Sequence, residues 1–308
     1  MKPTLQELFE QAIEYPDPDL RDRFDSLVGL DDHKNRLTKV LSLLVRPEGI
    51  KAWAKKFHPK ANKSLDAVLR RPPLVVLAGD VGSGKSELAL TIGDAVARQG
   101  NISVLLLPLS LSARGQGRVG EMTHLISAAF DYTIEEAKKF QSTGQGAVIL
   151  LIDEADALAQ SRENAQMHHE DRAGVNAFIR GIDRIANAKL PAAVIMCTNR
   201  LTALDPAIKR RSAEILKFER PNETQRLLAL ETPLKELGFS KDEIAQVVAV
   251  TGASQGKSYG YTYSDLMQRV IPSLVLSSYP DKAVNPAQSL ELIKSIVPTP
   301  PFKDSNHD

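Results

Sequence analysis

The chain of 308 residues carries 39 lysines and arginines against 38 aspartates and glutamates, a formal net charge of +1, and is 43% hydrophobic. That length and apolar content support a real core divided between one large and one small domain, and the near-neutral balance argues against a strongly basic, DNA-wrapping protein. A single cysteine, Cys197, excludes an internal disulfide framework and fits a reducing compartment.

The first residues, MKPTLQELFEQAIEY, mix charged and apolar side chains and lack the apolar segment of a secretion signal. The longest apolar runs, around Val104–Leu109 and Val148–Ile152, are too short to cross a bilayer. A cytoplasmic protein is the simplest expectation. Leu5, Leu8, Phe9, Ala12 and Ile13 recur at helical spacing and predict a short amphipathic helix, ended by Tyr15-Pro16-Asp17-Pro18 because proline disfavours helix at and before its own position. A second helix is predicted from about Asp31 to Val45. Trp53 and Phe57, four apart, read as a helix–helix packing pair. Four short Val/Ile/Leu-rich runs then follow, Leu74–Ala78, Ser103–Leu107, Ala147–Ile152 and Ala193–Cys197, each suited to a strand covered on both faces. Helical patterns at Ser86–Arg98, Gly120–Phe140 and Ala173–Ala186 separate them, and a fifth strand is expected at Glu214–Phe218. Such alternation implies a parallel sheet with right-handed crossovers. Gln160–Arg172 is polar throughout and reads as an exposed loop; its His168-His169-Glu170 is a poor chelating geometry and is taken as solvated. After Pro221 the pattern is helical only, at Asn222–Leu237, Lys241–Val250, Tyr263–Leu276 and Pro286–Ile296. Pro298–Asp308, rich in proline, is expected to lack order. The division expected is 1–26, a leading helix and linker; 27–219, a large α/β domain; 220–297, a helical lid; and 298–308, the tail.

The strongest chemical signal is Gly79-Asp80-Val81-Gly82-Ser83-Gly84-Lys85-Ser86, which fits G-x-x-x-x-G-K-[ST] between an apolar strand and a helix. Its glycines let backbone N–H groups and the helix N-terminus converge on a phosphate, with Glu87 just inside that helix. Lys85 is placed to neutralise the β- and γ-phosphates and Ser86 to ligate Mg²⁺. Downstream, Val148-Ile149-Leu150-Leu151-Ile152-Asp153-Glu154 is an apolar strand ending in two acids, at the edge where open α/β sheets bind ligands. Asp153 then belongs to the Mg²⁺ shell, and Glu154 orients and polarises the attacking water, which favours hydrolysis over transfer to a second substrate. Ala193-Val194-Ile195-Met196-Cys197-Thr198-Asn199 is a further buried strand with a polar end. If it lies beside the Asp153 strand, the Asn199 amide can reach the water or γ-phosphate; otherwise Asn199 caps the Leu201–Leu204 turn. Arg210 and Arg211 are either a solvated helix end or a source of an arginine finger for a neighbouring subunit.

These four elements in this order resemble the AAA+ ATPases, over about Leu27 to Pro272. The resemblance implies a P-loop NTPase fold, a five-stranded parallel sheet flanked by helices with a small all-α lid, and ATP and Mg²⁺ as ligands. It makes Asn199 sensor 1 and Leu27-Val28-Gly29-Leu30 the segment bordering the adenine. Arg118-Val119-Gly120-Glu121 looks like the first pore loop of substrate-threading members, with Arg118 where those carry an aromatic. Asp171–Ile179 with Ile182-Asp183, and Arg269-Val270-Ile271-Pro272, resemble the branch that remodels HORMA-domain proteins, the pachytene checkpoint ATPases and their short bacterial relatives from antiphage operons with cGAS-like nucleotidyltransferases. In that branch the finger falls at Arg211, with Arg210 as the alternative. Tyr261-Thr262-Tyr263-Ser264-Asp265-Leu266 lacks the sensor-2 arginine, for which Arg269 is the substitute at hand. What the resemblance implies is a homo-hexameric ATP-hydrolysing remodeller that opens a HORMA client bound to a CD-NTase and so inhibits that enzyme, with no membrane partner. The competing readings are an AAA+ ATPase acting on nucleic acid, of helicase-loader or transposition-regulator type, and a nucleotide-gated switch with little turnover.

Overall fold

The computed structural model describes residues 8–9, 11–111, 121–159, 169–200, 202, 204–254 and 258–302. Six strands form one sheet: β1 (Ile13–Tyr15), β2 (Leu74–Gly79), β3 (Ser103–Ser110), β4 (Gly146–Asp153), β5 (Ala192–Thr198) and β6 (Ser212–Phe218), in the order β1-β3-β4-β5-β2-β6. The pairings of β3 with β4, β4 with β5 and β5 with β2 are parallel. The apolar runs become central strands because both of their faces are covered. Leu74, Val76 and Ala78 sit in one core cluster with Val148, Leu150, Ile152, Val194 and Met196, and alternation leaves Val75 and Leu77, equally buried, on the opposite face. On the first face, helices Glu121–Thr143 and His169–Ala188 contribute Ile126, Phe130, Val175, Phe178 and Ile182. Phe130 meets Phe178 edge-on, with centroids 5.8 Å apart.

Three expectations about this part of the chain need correcting. The leading stretch does not continue as a helix to Tyr15: Ile13–Tyr15 is an edge strand, antiparallel to β3, with Ile13 opposite Leu106 and Tyr15 opposite Val104. The proline rule that ends a helix before Pro16 also drives Tyr15 into extended backbone, where the open edge of β3 offers partners. Leu8 and Phe9 enter the core as expected of apolar residues. Trp53 and Phe57 do lie on one helix, Glu48–Phe57, but they are 49% and 58% exposed and touch each other and His58 rather than a second buried face. Finally, the helix after the polar stretch begins at His169, ahead of the predicted Ala173; residues 160–168 lie outside the described residues.

The chain divides into two compact units. One comprises 1–26, 32–78 and 86–217; the other comprises 27–31, 79–85 and 218–308. Three of the second unit's helices start at capping boxes: Asn222 with Gln225, Ser240 with Glu243 and Thr262 with Asp265. Its third helix, 263–276, widens to a π turn at Leu266–Val270 just before Pro272, whose missing N–H breaks the regular ladder. Leu230, Leu234, Val247, Tyr261, Leu266, Val270, Leu274 and Ile293 form its core. The Tyr261 hydroxyl closes on the carbonyls of Ile293 at 2.8 Å and Ile296 at 2.6 Å. The tail is ordered at its start: Thr299 donates from its amide and hydroxyl to the two Asp265 oxygens, at 3.0 and 2.7 Å.

Candidate nucleotide site

β2 ends at Gly79, and the chain turns through Asp80–Gly84 into the helix Lys85–Gly100. No side chain fits at Gly79, where an added Cβ would stand 1.9 Å from the Phe218 carbonyl oxygen. Gly82 takes φ +70 and lies against Thr262 and Ser264, and the Ser264 amide donates to its carbonyl at 3.2 Å. The Lys85 ammonium is almost wholly buried and donates to the carbonyls of Gly79 (3.0 Å) and Asp80 (2.7 Å), and the Ser83 hydroxyl donates to the Asp80 carbonyl as well (2.7 Å). The cation is thus held at the loop by dipoles, which phosphate oxygens are chemically able to replace.

The Ser86 hydroxyl donates to Asp153 Oδ1 at 3.1 Å. The sheet order explains this meeting. β4 carries Asp153 out at the same carboxyl edge where β2 enters the loop, with only β5 between them. A hydroxyl and a carboxylate at that distance are the hard oxygen donors Mg²⁺ takes, alongside phosphate and water, so the residues fit the ion. Among the described residues no cluster of three His, Cys, Asp or Glu offers a fuller protein cage. Glu154 is exposed and has φ +52, a left-handed conformation rare outside glycine; its amide donates to Asp153 Oδ1 at 2.9 Å. Ala155 donates to the Cys197 carbonyl at 2.9 Å, tying this turn to β5.

β5 does lie beside β4, with Ile152 opposite Met196. The Asn199 amide group nonetheless donates to Asp156 Oδ2 at 3.1 Å, and its backbone N–H and the Thr198 hydroxyl both donate to Asp156 Oδ1 at 2.7 and 2.8 Å. Asp156 therefore orients Asn199. Sequence reasoning missed it, although Asp153-Glu154-Ala155-Asp156 repeats an acid one turn on. Arg211 is held by both Asp183 oxygens, at 2.8 and 2.9 Å, and that hydrogen-bonded carboxylate pushes its pKa up. Arg210 is exposed. The Glu87 carboxylate is taken up by Arg23 at 2.8 and 2.9 Å. Arg269, the sensor-2 substitute, donates to Asp265 at 2.8 Å.

Val28 is 39% exposed, and Gly29, at φ +76, packs against the Tyr263 hydroxyl while its carbonyl accepts from Gln225 at 2.8 Å. The Tyr263 oxygen is buried without a hydrogen-bond partner among the described residues. Burial, reinforced by Asp31, pushes its pKa up to about 12. Val81 is exposed. Arg118, Val119 and Gly120 lie outside the described residues. A cavity of about 940 Å³ opens at the amino ends of the strands, lined by Arg46, Arg70, Phe140, Lys189 and Pro191 among others; it contains none of the motif residues.

Residues 75–220 match the ATPase family associated with various cellular activities (AAA). The chain is 63% identical over 307 residues to CD-NTase-associated protein 6 of Escherichia coli strain MS 115-1, covering 99% of each chain. It superposes with a TM-score of 0.91 and 63% identity on a chain in the structure of an E. coli MS115-1 HORMA:CdnC:Trip13 complex, covering 98% of this chain and 100% of that one. On the structure of a Rhizobiales Trip13 it superposes with a TM-score of 0.75 and 53% identity, covering 96% and 100%. No helix among the described residues is long and apolar enough to cross a membrane. With a serine after the glycine-rich turn meeting the acid that ends β4, and with relatives that match it end to end, the chain belongs to the AAA ATPase family, in the branch of CD-NTase-associated protein 6 and the bacterial Trip13 proteins.

Proposed function

We propose that this protein hydrolyses ATP in order to pull on and open a HORMA-domain protein, releasing it from a CD-NTase and so inhibiting that enzyme. The observation that carries the ATPase half is the 3.1 Å contact between Ser86 and Asp153, with Glu154 next in the chain. The remodelling half is supported by the 63% identical relative seen in a HORMA:CdnC:Trip13 complex.

Lys85 exchanges its loop carbonyls for the β- and γ-phosphate oxygens, and the glycines let the backbone N–H groups of the loop converge on the anion. Ser86 and Asp153 would hold Mg²⁺, which supplies charge neutralisation at the phosphates when bound. Glu154 accepts a hydrogen bond from the attacking water and orients it in line with the γ-phosphorus. Asn199, fixed through Asp156, presents an amide to the same region. Arg211, with Arg210 as the alternative, reaches the γ-phosphate of an adjacent subunit, so turnover requires a ring, a homo-hexamer in this reading. Arg118-Val119-Gly120 grips the client, with Arg118 engaging backbone carbonyls or acidic side chains in place of aromatic stacking.

The test is a reconstitution from purified HORMA protein, CD-NTase and this chain. ATP is expected to release the CD-NTase from the HORMA protein. Glu154→Gln should bind ATP with near wild-type affinity but turn it over at least about a hundredfold more slowly. Release that proceeds without ATP, or undiminished turnover by Glu154→Gln, would overturn the reading.

A further inference from the structure

We propose that Arg220 is a positioning residue for the phosphate loop and acts through the carboxylate of Asp80, an inference that rests on the nucleotide-site reading above. Asp80 is the second residue of the loop, and each end of it is fastened. Its carbonyl receives Lys85 and Ser83. Its carboxylate receives Arg220 Nε at 2.6 Å on one oxygen, and the amides of Val81 (2.9 Å) and Phe302 (3.3 Å) on the other. Arg220 is itself fixed. Its Nη1 donates to the Gly260 carbonyl at 2.6 Å, and its guanidinium lies over the Tyr259 ring, 4.9 Å from the centroid.

The two side chains are only 14% and 16% exposed, so water screens the pair weakly and its geometry is directional. An anion cradle works when its N–H groups already converge before the ligand arrives; a loop that must be ordered on binding loses that ordering cost from the affinity. Fixing Asp80 from the outside orders the loop in advance. Lysine cannot replace this arginine in full, because a single ammonium lacks the planar fork that serves Asp80, Gly260 and the Tyr259 face together. The segment ending at Phe302, anchored through Thr299 on Asp265, adds a weaker hold of the same kind.

The test is an ADP titration by calorimetry of the full chain as wild type, Arg220→Ala, Arg220→Lys, Asp80→Asn and the Arg220→Ala/Asp80→Asn double variant, with melting temperatures recorded in parallel. Arg220→Ala and Asp80→Asn are each expected to weaken ADP binding about tenfold, with the melting temperature lowered by a few degrees and a single cooperative transition kept. Arg220→Lys should fall between, and the double variant should be no weaker than either single one. Wild-type affinity in Arg220→Ala overturns the proposal, and so does a double variant whose loss is the product of the two single losses, because Arg220 would then act without Asp80. Should Arg220→Ala not fold, the near-isosteric Asp80→Asn decides alone. A wild type that binds no ADP overturns the nucleotide-site reading itself, an outcome distinct from both.

Discussion

Arg211 and Asp183 are joined by two hydrogen bonds, yet both side chains are partly open to water, 31% and 45% exposed. Such a pair contributes less than about 1 kcal/mol, so its value lies in holding a guanidinium in place rather than in stability. Asp183→Ala is accordingly expected to lower the unfolding free energy by less than about 1 kcal/mol, measured in urea. Arg211→Ala should abolish turnover while ADP affinity in the isolated subunit stays near wild type; affinity lost in the monomer would assign Arg211 to its own subunit's site. The strand, turn and helix that carry the glycine-rich motif were legible in the sequence because its spacing alone encodes them. Asp156, Asp183 and Arg220 were not, because a lone charged residue says nothing about which distant group it meets.

Elements differ in how they are encoded. Central strands announce themselves, since a strand covered on both faces has to be apolar throughout. β1 does not, because three residues at a sheet edge take their conformation from the partner strand and from Pro16. Helical spacing placed Trp53 and Phe57 correctly on one turn pair but could not say whether anything covers them. Three helix starts of the helical unit are encoded by local chemistry. Asn222→Ala, which removes a side-chain bond to the Gln225 amide, should cost about 1 kcal/mol in unfolding free energy. Asp265 carries more. Burial pushes its pKa up, but bonds from Thr262, Thr299 and Arg269 outweigh this and hold it below the ordinary carboxylate value. A depressed folded-state pKa means stability that is present above the unfolded value and is lost as pH falls through the folded one. The helical unit is therefore expected to lose stability as pH falls below about 4, with Asp265→Asn losing that part of the acid sensitivity; an unchanged melting profile below pH 4 in Asp265→Asn would count against it.

At the scale of the molecule, residues 79–85 cluster with the helical unit, and Ser86, Asp153, Glu154 and Asn199 with the sheet-bearing unit. A nucleotide that binds only the folded chain stabilises it by about 2.7 kcal/mol at a hundred times its dissociation constant. ADP should therefore raise the melting temperature of the wild type and leave Lys85→Ala unmoved. Fold class was readable from the alternating strand–helix pattern, which gives way to helices alone after Pro221. The inclusion of 27–31 in the helical unit was not readable, because it depends on contacts such as Gln225 with Gly29 that no local pattern records.

The left-handed backbone at Glu154 limits which substitutions this position can tolerate. Asparagine, aspartate and glycine adopt that conformation readily, but none of them reaches as far as a glutamate carboxylate; β-branched side chains resist it outright. A saturation library at codon 154 should therefore separate into two failures. Valine, isoleucine and threonine should deplete protein abundance, while glycine and asparagine should leave abundance intact and silence the enzyme.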